Sequence, residues 1–310
     1  MSLKGRQKKA KYTRIKGKPG RVIGTVGRRV LVRDVDGERV CYLSGQRAVI
    51  GDRVRWEEAP GTGGKLVGVE NRDTILRRRD LQGKERILAA NLKGIVIVAT
   101  PCRPDFDPML IDRYLVAASA ADLDAHICVN KVDLGETDAV TRYLEEREAL
   151  GYKTFRVSAT LGDGLSEFEN FLQTNSGGAA GPLALVGLSG VGKTSLLASL
   201  LPEQDVGPVG ELSDYWDQGQ HTTTGSKLFD LADGGELVDS PGIRTFSPAG
   251  LKASDVRDYF PGFSGLHCQF RDCLHQKGQK GCVAETELSE HTVKGYRRLI
   301  DFLDKQKPSY

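Results

Sequence analysis

The nine residues GLSGVGKTS, Gly187 to Ser195, constrain this chain more than any other feature. An apolar run, PLALV, leads into them and SLLASLL follows, so the string falls between a strand and a helix. GxxxxGK[ST] in that setting is a phosphate loop. Gly187, Gly190 and Gly192 let backbone N–H groups turn inward around a β-phosphate, with Leu188, Ser189, Val191 and Ser195 in the same cradle. Lys193 reaches the β and γ oxygens, and the Thr194 hydroxyl can ligate Mg2+. Such a loop needs a mostly parallel sheet covered on both faces. The flanking sequence agrees: GIVIVAT, AHICVN and TFRV read as strands, and DPMLIDRYLVAA, AVTRYLEEREAL and LSEFENFL as helices. GGAAG at 177–181 reads as a flexible joint.

The phosphate loop does not choose a base, but NKVD, Asn130 to Asp133, can. It follows a buried strand, so its side chains project at the carboxyl edge of the sheet, where nucleotides bind. Asp133 can accept from both N1–H and N2–H₂ of guanine, and adenine has no matching pair of donors. Asn130, Lys131 and Val132 form the rest of that loop, while Ser158 and Ala159, after TFRV, approach the guanine carbonyl through backbone N–H. Downstream, HTTT can supply a hydroxyl to magnesium, assigned to Thr223 although residues 222–224 are equivalent by sequence. ELVDSPG places Asp239 and Gly242 after a strand, near a γ-phosphate.

Two flanking segments have other patterns. From Arg21 to Arg77, RVIGTVG, RRVLVRD, ERVCYL, GDRVRWEE and KLVGVE predict a small five-stranded antiparallel barrel, OB-like, over 21–77. Alternate positions would expose Arg29, Arg33, Arg39, Arg53 and Arg55 near Tyr42 and Trp56 for nucleic-acid contact and base stacking. RRRDLQGKER reads as a charged connector. At the other end, CQFRDCLHQKGQKGC offers Cys268, Cys273, His275 and Cys282, a donor set suited to one tetrahedral structural Zn2+, with His267 as an alternative imidazole. Val293, Tyr296, Ile300 and Leu303 recur at helical spacing and should pack that loop; Cys41, Cys102 and Cys128 should only pack.

The motif order is NKVD, SAT, GLSGVGKTS, HTTT, DSPG, whereas ordinary small GTPases begin with the phosphate loop. With its OB-like front and Cys/His back, the chain resembles the ribosome small subunit-dependent GTPase A family of circularly permuted GTPases, over nearly everything from residue 20 onward. The resemblance implies a permuted GTPase domain over 85–248 and a zinc-binding helical domain over 249–310. It also implies hydrolysis of GTP to GDP, stimulated by the 30S ribosomal subunit in late maturation, with 16S rRNA as the main contact. His221 becomes a catalytic candidate by the same resemblance, and zinc is implied at the Cys/His loop. Here six residues separate His275 from Cys282 where the family usually has five; the surplus falls in a Gly-rich turn that can absorb it. Ile243 follows Gly242, so no Gln orients the attacking water, and hydrolysis by the chain alone should be slow.

Charge adds one constraint. The net charge of +3 hides a tail, residues 1–20, with eight basic residues and no acid, leaving the remainder five charges negative. That tail suits a polyanion. No apolar run approaches the roughly 20 residues a membrane helix needs, and cysteine usage does not suggest a disulfide scaffold, so a cytoplasmic, monomeric protein is expected. Two alternatives stay open: a nucleotide-gated RNA-binding switch without useful turnover, and a permuted GTPase acting on another ribosomal particle.

Overall fold

The computed structural model describes residues 16–45, 47–60, 63–79, 84–201, 227–239 and 251–305. The first five strands are β1 (Lys18–Val26), β2 (Arg29–Asp34), β3 (Gly37–Leu43), β4 (Arg53–Ala59) and β5 (Gly63–Val69). They pair in the order β1-β2-β3-β5-β4, and β1 also pairs β4, which closes the barrel. Val22, Val30, Val32, Cys41, Val54, Trp56 and Leu66 fill it.

Three expectations change here. The barrel is not wholly antiparallel, because β3 and β5 run parallel; hydrophobic alternation carries no information about strand direction. Trp56 is fully buried beside Val54, while Arg53 and Arg55 take the outward positions of the same strand. Trp56 is therefore core and not a stacking platform, and Tyr42, 38% exposed, is the remaining aromatic of that pair. RRRDLQGKER is not simply a connector, since β6 (Ile75–Arg79) and β7 (Glu85–Ala90) form an antiparallel hairpin. Leu76, Ala89 and Ala90 are its buried positions.

The nucleotide-type sheet follows. Its elements are β8 (Gly94–Ala99), α1 (Pro108–Ala120), β9 (Asp124–Asn130), α2 (Asp138–Ala149), β10 (Lys153–Val157), α3 (Leu165–Asn175), β11 (Leu183–Val186), α4 (Lys193–Leu200), β12 (Lys227–Asp230) and β13 (Glu236–Asp239). The order β10-β9-β8-β11-β13 is parallel throughout, with β12 antiparallel at its edge. Successive residues of β8 go to opposite faces: Ile95 and Ile97 pack with α1 and α2 residues, Val96 and Val98 with α3 and α4 residues. That is why the strand reads as an unbroken apolar run. Asp107 caps α1 by accepting from Leu110 N–H at 3.0 Å. GGAAG is a turn closed by Gly177 N–H on Gly181 O at 2.8 Å, not an open joint. One register pair, Gly24↔Lys227, joins β12 to β1, so barrel and parallel strands share one eleven-stranded sheet.

After residue 251 come α5 (Val256–Tyr259), α6 (Ala284–Glu287) and α7 (Glu290–Lys305). Val293, Tyr296, Leu299, Ile300 and Leu303 on α7 pack with Phe260, Phe263 and, from α1, Val116. A buried polar set crosses the same boundary. Arg147 Nη2 donates to Asp112 at 2.7 Å, Tyr143 OH to the same carboxylate at 2.8 Å, and Arg147 Nη1 to Thr292 Oγ1 at 3.2 Å. Desolvation pushes the Asp112 carboxyl up while Arg147 pulls it down; removing either partner of such a buried pair costs about 3–5 kcal/mol. Among the described residues no helix is long and apolar enough to cross a membrane.

Candidate functional site: a nucleotide edge and a Cys3His loop

Strand direction decides where the motifs go. NKVD leaves β9, Ser158 leaves β10, the phosphate loop leaves β11 and Asp239 ends β13, all at the carboxyl ends of parallel strands. The chain winds outward through β9 and β10 on one side of β8 and through β11 and β13 on the other. The phosphate loop therefore opens beside the switch point, where such sheets bind ligands.

The loop itself needs glycine at two close approaches. Gly187 has φ +147°, and a Cβ there would lie 2.2 Å from Val98 O; Gly192 has φ +89°, and its Cβ would lie 2.4 Å from Asn130 Nδ2. Lys193 folds back over the loop, its Nζ donating to Gly187 O at 3.0 Å and Leu188 O at 2.7 Å. Thr194 and Ser195 are exposed at the start of α4, and Val191 is buried beneath the loop.

Asn130 joins the three base-side segments. Its Nδ2 donates to Val191 O at 3.0 Å, and its Oδ1 accepts from Ala159 N–H at 3.1 Å, with the residue 1% exposed. Lys131, at φ +65°, reaches Gly190 O at 2.6 Å and Arg103 O at 2.8 Å. Ser158 Oγ donates to Asp133 Oδ1 at 2.6 Å and accepts from Leu161 N–H at 3.1 Å. This leaves the Asp133 carboxylate oriented on a short helical turn, Val132–Leu134, with room to accept further donors.

Asp239 and Lys193 perturb each other. Burial raises the Asp239 carboxyl and the ammonium lowers it; burial lowers Lys193 and the carboxylate raises it. Asp239 Oδ1 is buried with no hydrogen-bond partner among the described residues. An orphaned carboxylate oxygen beside a phosphate-loop lysine fits a magnesium-nucleotide shell. His221, Thr223 and Gly242, like Ile243 and most of the basic tail, lie outside the described residues.

The second cluster is local. One ligand atom from each of Cys268, Cys273, His275 and Cys282 lies within 4.8 Å of the others. His275 Nδ1 stands 3.5, 3.6 and 3.5 Å from the three sulfurs. Bonds of about 2.3 Å to sulfur and about 2.0 Å to nitrogen at a tetrahedral angle require an S···N edge of about 3.5 Å. The donor set therefore fits zinc by chemistry and by spacing. His275, not His267, is the imidazole of the cluster. The six residues between His275 and Cys282 turn with Gly278 at φ +70° and Gly281 at φ +74°. Tyr296 packs this loop as the helical spacing predicts, its OH donating to Leu274 O at 3.2 Å, while sequence reasoning missed two arginines that hold it: Arg257 donates to Arg271 O at 2.9 Å and Arg297 Nε to His275 O at 3.0 Å.

A phosphate loop at the switch point, preceded in the chain by its base-side loops and flanked by a closed OB-like barrel and a Cys3His cluster, defines a circularly permuted GTPase. The RsgA GTPase family model matches residues 69–249. Curated relatives include the small ribosomal subunit biogenesis GTPase RsgA of Azotobacter vinelandii, 40% identical over 90% of this chain and 82% of its own length. That of Pseudomonas putida is 39% identical over the same shares. Crystal structures agree in fold: YjeQ from Thermotoga maritima superposes with a TM-score of 0.71 at 25% identity, covering 93% of this chain and 99% of its own. YloQ, described as a circularly permuted GTPase, gives 0.68 at 23% identity, covering 97% and 100%. The chain belongs to the RsgA GTPase family, whose members are GTP-hydrolysing enzymes.

Proposed function

We propose that this chain acts in small-subunit maturation, binding the 30S ribosomal subunit through 16S rRNA and hydrolysing GTP faster on the particle than alone. What carries the reading is the convergence of NKVD, Ser158, the phosphate loop and Asp239 on one sheet edge, in a chain whose relatives are named small ribosomal subunit biogenesis GTPases.

In this reading Asp133 accepts from guanine N1–H and N2–H₂, held by the Ser158 hydroxyl, while Asn130 keeps the base-side and phosphate-side loops in register. Lys193 exchanges its two carbonyl partners for β- and γ-phosphate oxygens. Thr194, a hydroxyl assigned to Thr223, and Asp239 would hold magnesium, and Gly242 of DSPG is assigned to the γ-phosphate by its place in the motif. Magnesium, when bound, draws charge from those phosphates. The attacking water is assigned to His221, since Ile243 has no hydrogen-bonding group for that task. Zinc, when bound, closes the Cys268, Cys273, His275 and Cys282 loop as a structural tie. The basic tail and, on the barrel, Arg29 beside Tyr42 are the rRNA-facing groups, while Arg33, Arg39, Arg53 and Arg55 are held by carboxylates of this chain; the protein works in the cytoplasm as a monomer.

Cosedimentation with 30S, 50S and 70S particles in GTP-analogue and GDP states, together with turnover with and without 30S, tests this. Preferential 30S binding with the analogue and faster turnover on 30S are expected, and His221→Ala should lose the stimulated rate while keeping nucleotide affinity. Equal affinity in both states with unchanged turnover would remove the reading.

A further inference from the structure

Arg21 and Arg33 sit directly opposite each other on β1 and β2, and Asp230 and Glu236 sit directly opposite each other on β12 and β13. Like charges in cross-strand register destabilise a sheet. Each pair is thus unfavourable alone, and here each is relieved by the other. Arg21 Nη1 donates to both Glu236 oxygens at 2.9 and 2.8 Å; Arg33 meets Asp230 at 2.9 and 2.7 Å while also holding Glu38. The Arg21–Glu236 pair is 24% and 15% exposed, less screened than a surface pair. Glu236 is fixed a second time, its N–H donating to Ser176 Oγ at 2.9 Å.

Three residues further along β13 stands Asp239, in register with Lys227 on β12 and Leu185 on β11. Its Oδ1 has no partner among the described residues, so the course of β13 sets where that carboxylate stands beside Lys193. We infer that the barrel positions Asp239: Arg21 and Arg33, through Glu236 and Asp230, hold the β12–β13 hairpin at the offset that presents this carboxylate to the nucleotide's magnesium. Arg21, Arg33, Asp230 and Glu236 are positioning residues and touch no nucleotide. The inference rests on the reading of Asp239 as a magnesium-side carboxylate.

The test is release of fluorescent N-methylanthraniloyl-GDP from the full chain, titrated with Mg2+. Arg21→Met and Glu236→Gln should each raise the Mg2+ needed for half-maximal slowing about tenfold, with the magnesium-free release rate within about twofold of the parent. The double variant Arg21→Met/Glu236→Gln should show no more than the roughly tenfold rise of either single variant, because both act through one contact, whereas two independent structural defects would multiply. Arg72→Gln, which breaks the ion pair between the segment after β5 and Asp52 just before β4, should leave the Mg2+ requirement unchanged. Parent-like Mg2+ dependence in both single variants, or a double variant whose effect is the product of the two single effects, overturns the inference alone. A parent chain that fails to bind the GDP analogue overturns the site reading and this inference with it.

Discussion

The Cys3His loop gathers its four donors from residues 268–282, whereas the nucleotide edge gathers Asn130, Asp133, Ser158, Lys193 and Asp239 from four strand ends. In the loop, turns bring the sulfurs to one nitrogen, and Arg257, Tyr296 and Arg297 then tie its carbonyls to α5 and α7. In the edge, no two adjacent segments make a site; sheet order brings them together and Asn130 fastens three of them. A local site can fail without disturbing a topological one. It follows that damage to the loop should stay in the carboxyl-terminal region, and damage to the edge should stay with the nucleotide.

The largest expected effect breaks the loop. Cys273→Ala removes one of four ligands from a site that in small zinc modules is worth about 10–16 kcal/mol, so a loss of about 3–4 kcal/mol, 10²–10³-fold in zinc affinity, is expected. Metal analysis of chelator-free protein should give about one zinc per parent chain and substoichiometric zinc in the variant, while guanine-nucleotide affinity stays near the parent value. Equal loss of zinc and nucleotide binding would show that the two regions are coupled through their shared boundary, where Val116 packs on α7 and Arg147 joins Asp112 to Thr292.

Next comes the edge. Asp133→Asn replaces a double acceptor with an amide and should weaken GTP binding by about 3 kcal/mol, roughly a hundredfold, since two charge-assisted bonds are lost. Xanthosine triphosphate should gain, because its C2 oxygen accepts from the new amide. Competition titrations with the two nucleotides decide it, and unchanged GTP affinity without a xanthine gain would remove NKVD as the base reader. Zinc content should not move in this variant.

The same contrast explains what could be read from sequence. The Cys/His loop and each nucleotide motif are local strings whose chemistry survives as text, and their order alone disclosed the permutation. Long-range pairings left no such mark. The Arg21–Glu236 contact spans 215 residues, and neither partner differs locally from a solvated charge. β12 is four residues long, KLFD, too short for a period to show, yet it joins the barrel to the parallel strands. The β6–β7 hairpin hid behind a run of arginines, because alternation there is carried by few apolar residues, among them Leu76. Trp56 misled for the opposite reason: its neighbours Arg55 and Glu57 made the segment look exposed, while the alternation of β4 turns the indole inward.

The smallest effect compares one histidine from each region. His275 Nδ1 faces three sulfurs, whereas His126 on β9 has its Nδ1 buried with no partner among the described residues and its ring edge-on to Phe171 at 4.6 Å. Burial lowers the His126 pKa from 6.5 to about 4; Asp124 opposes this, and Lys93 and Lys153 add to it. The folded state therefore favours the neutral ring, and below the unfolded pKa the unfolded chain binds the extra proton. Stability from this group is present above pH 6.5 and is lost as pH falls toward 4. Between pH 7 and pH 5 the loss is about 2 kcal/mol. His126→Phe, which places a ring of similar width beside Phe171, abolishes that proton uptake. Urea unfolding at the two pH values should show the parent losing about 2 kcal/mol more than the variant. Equal losses would mean that the imidazole is already solvated in the sheet, and that acid sensitivity belongs to the Cys3His region instead.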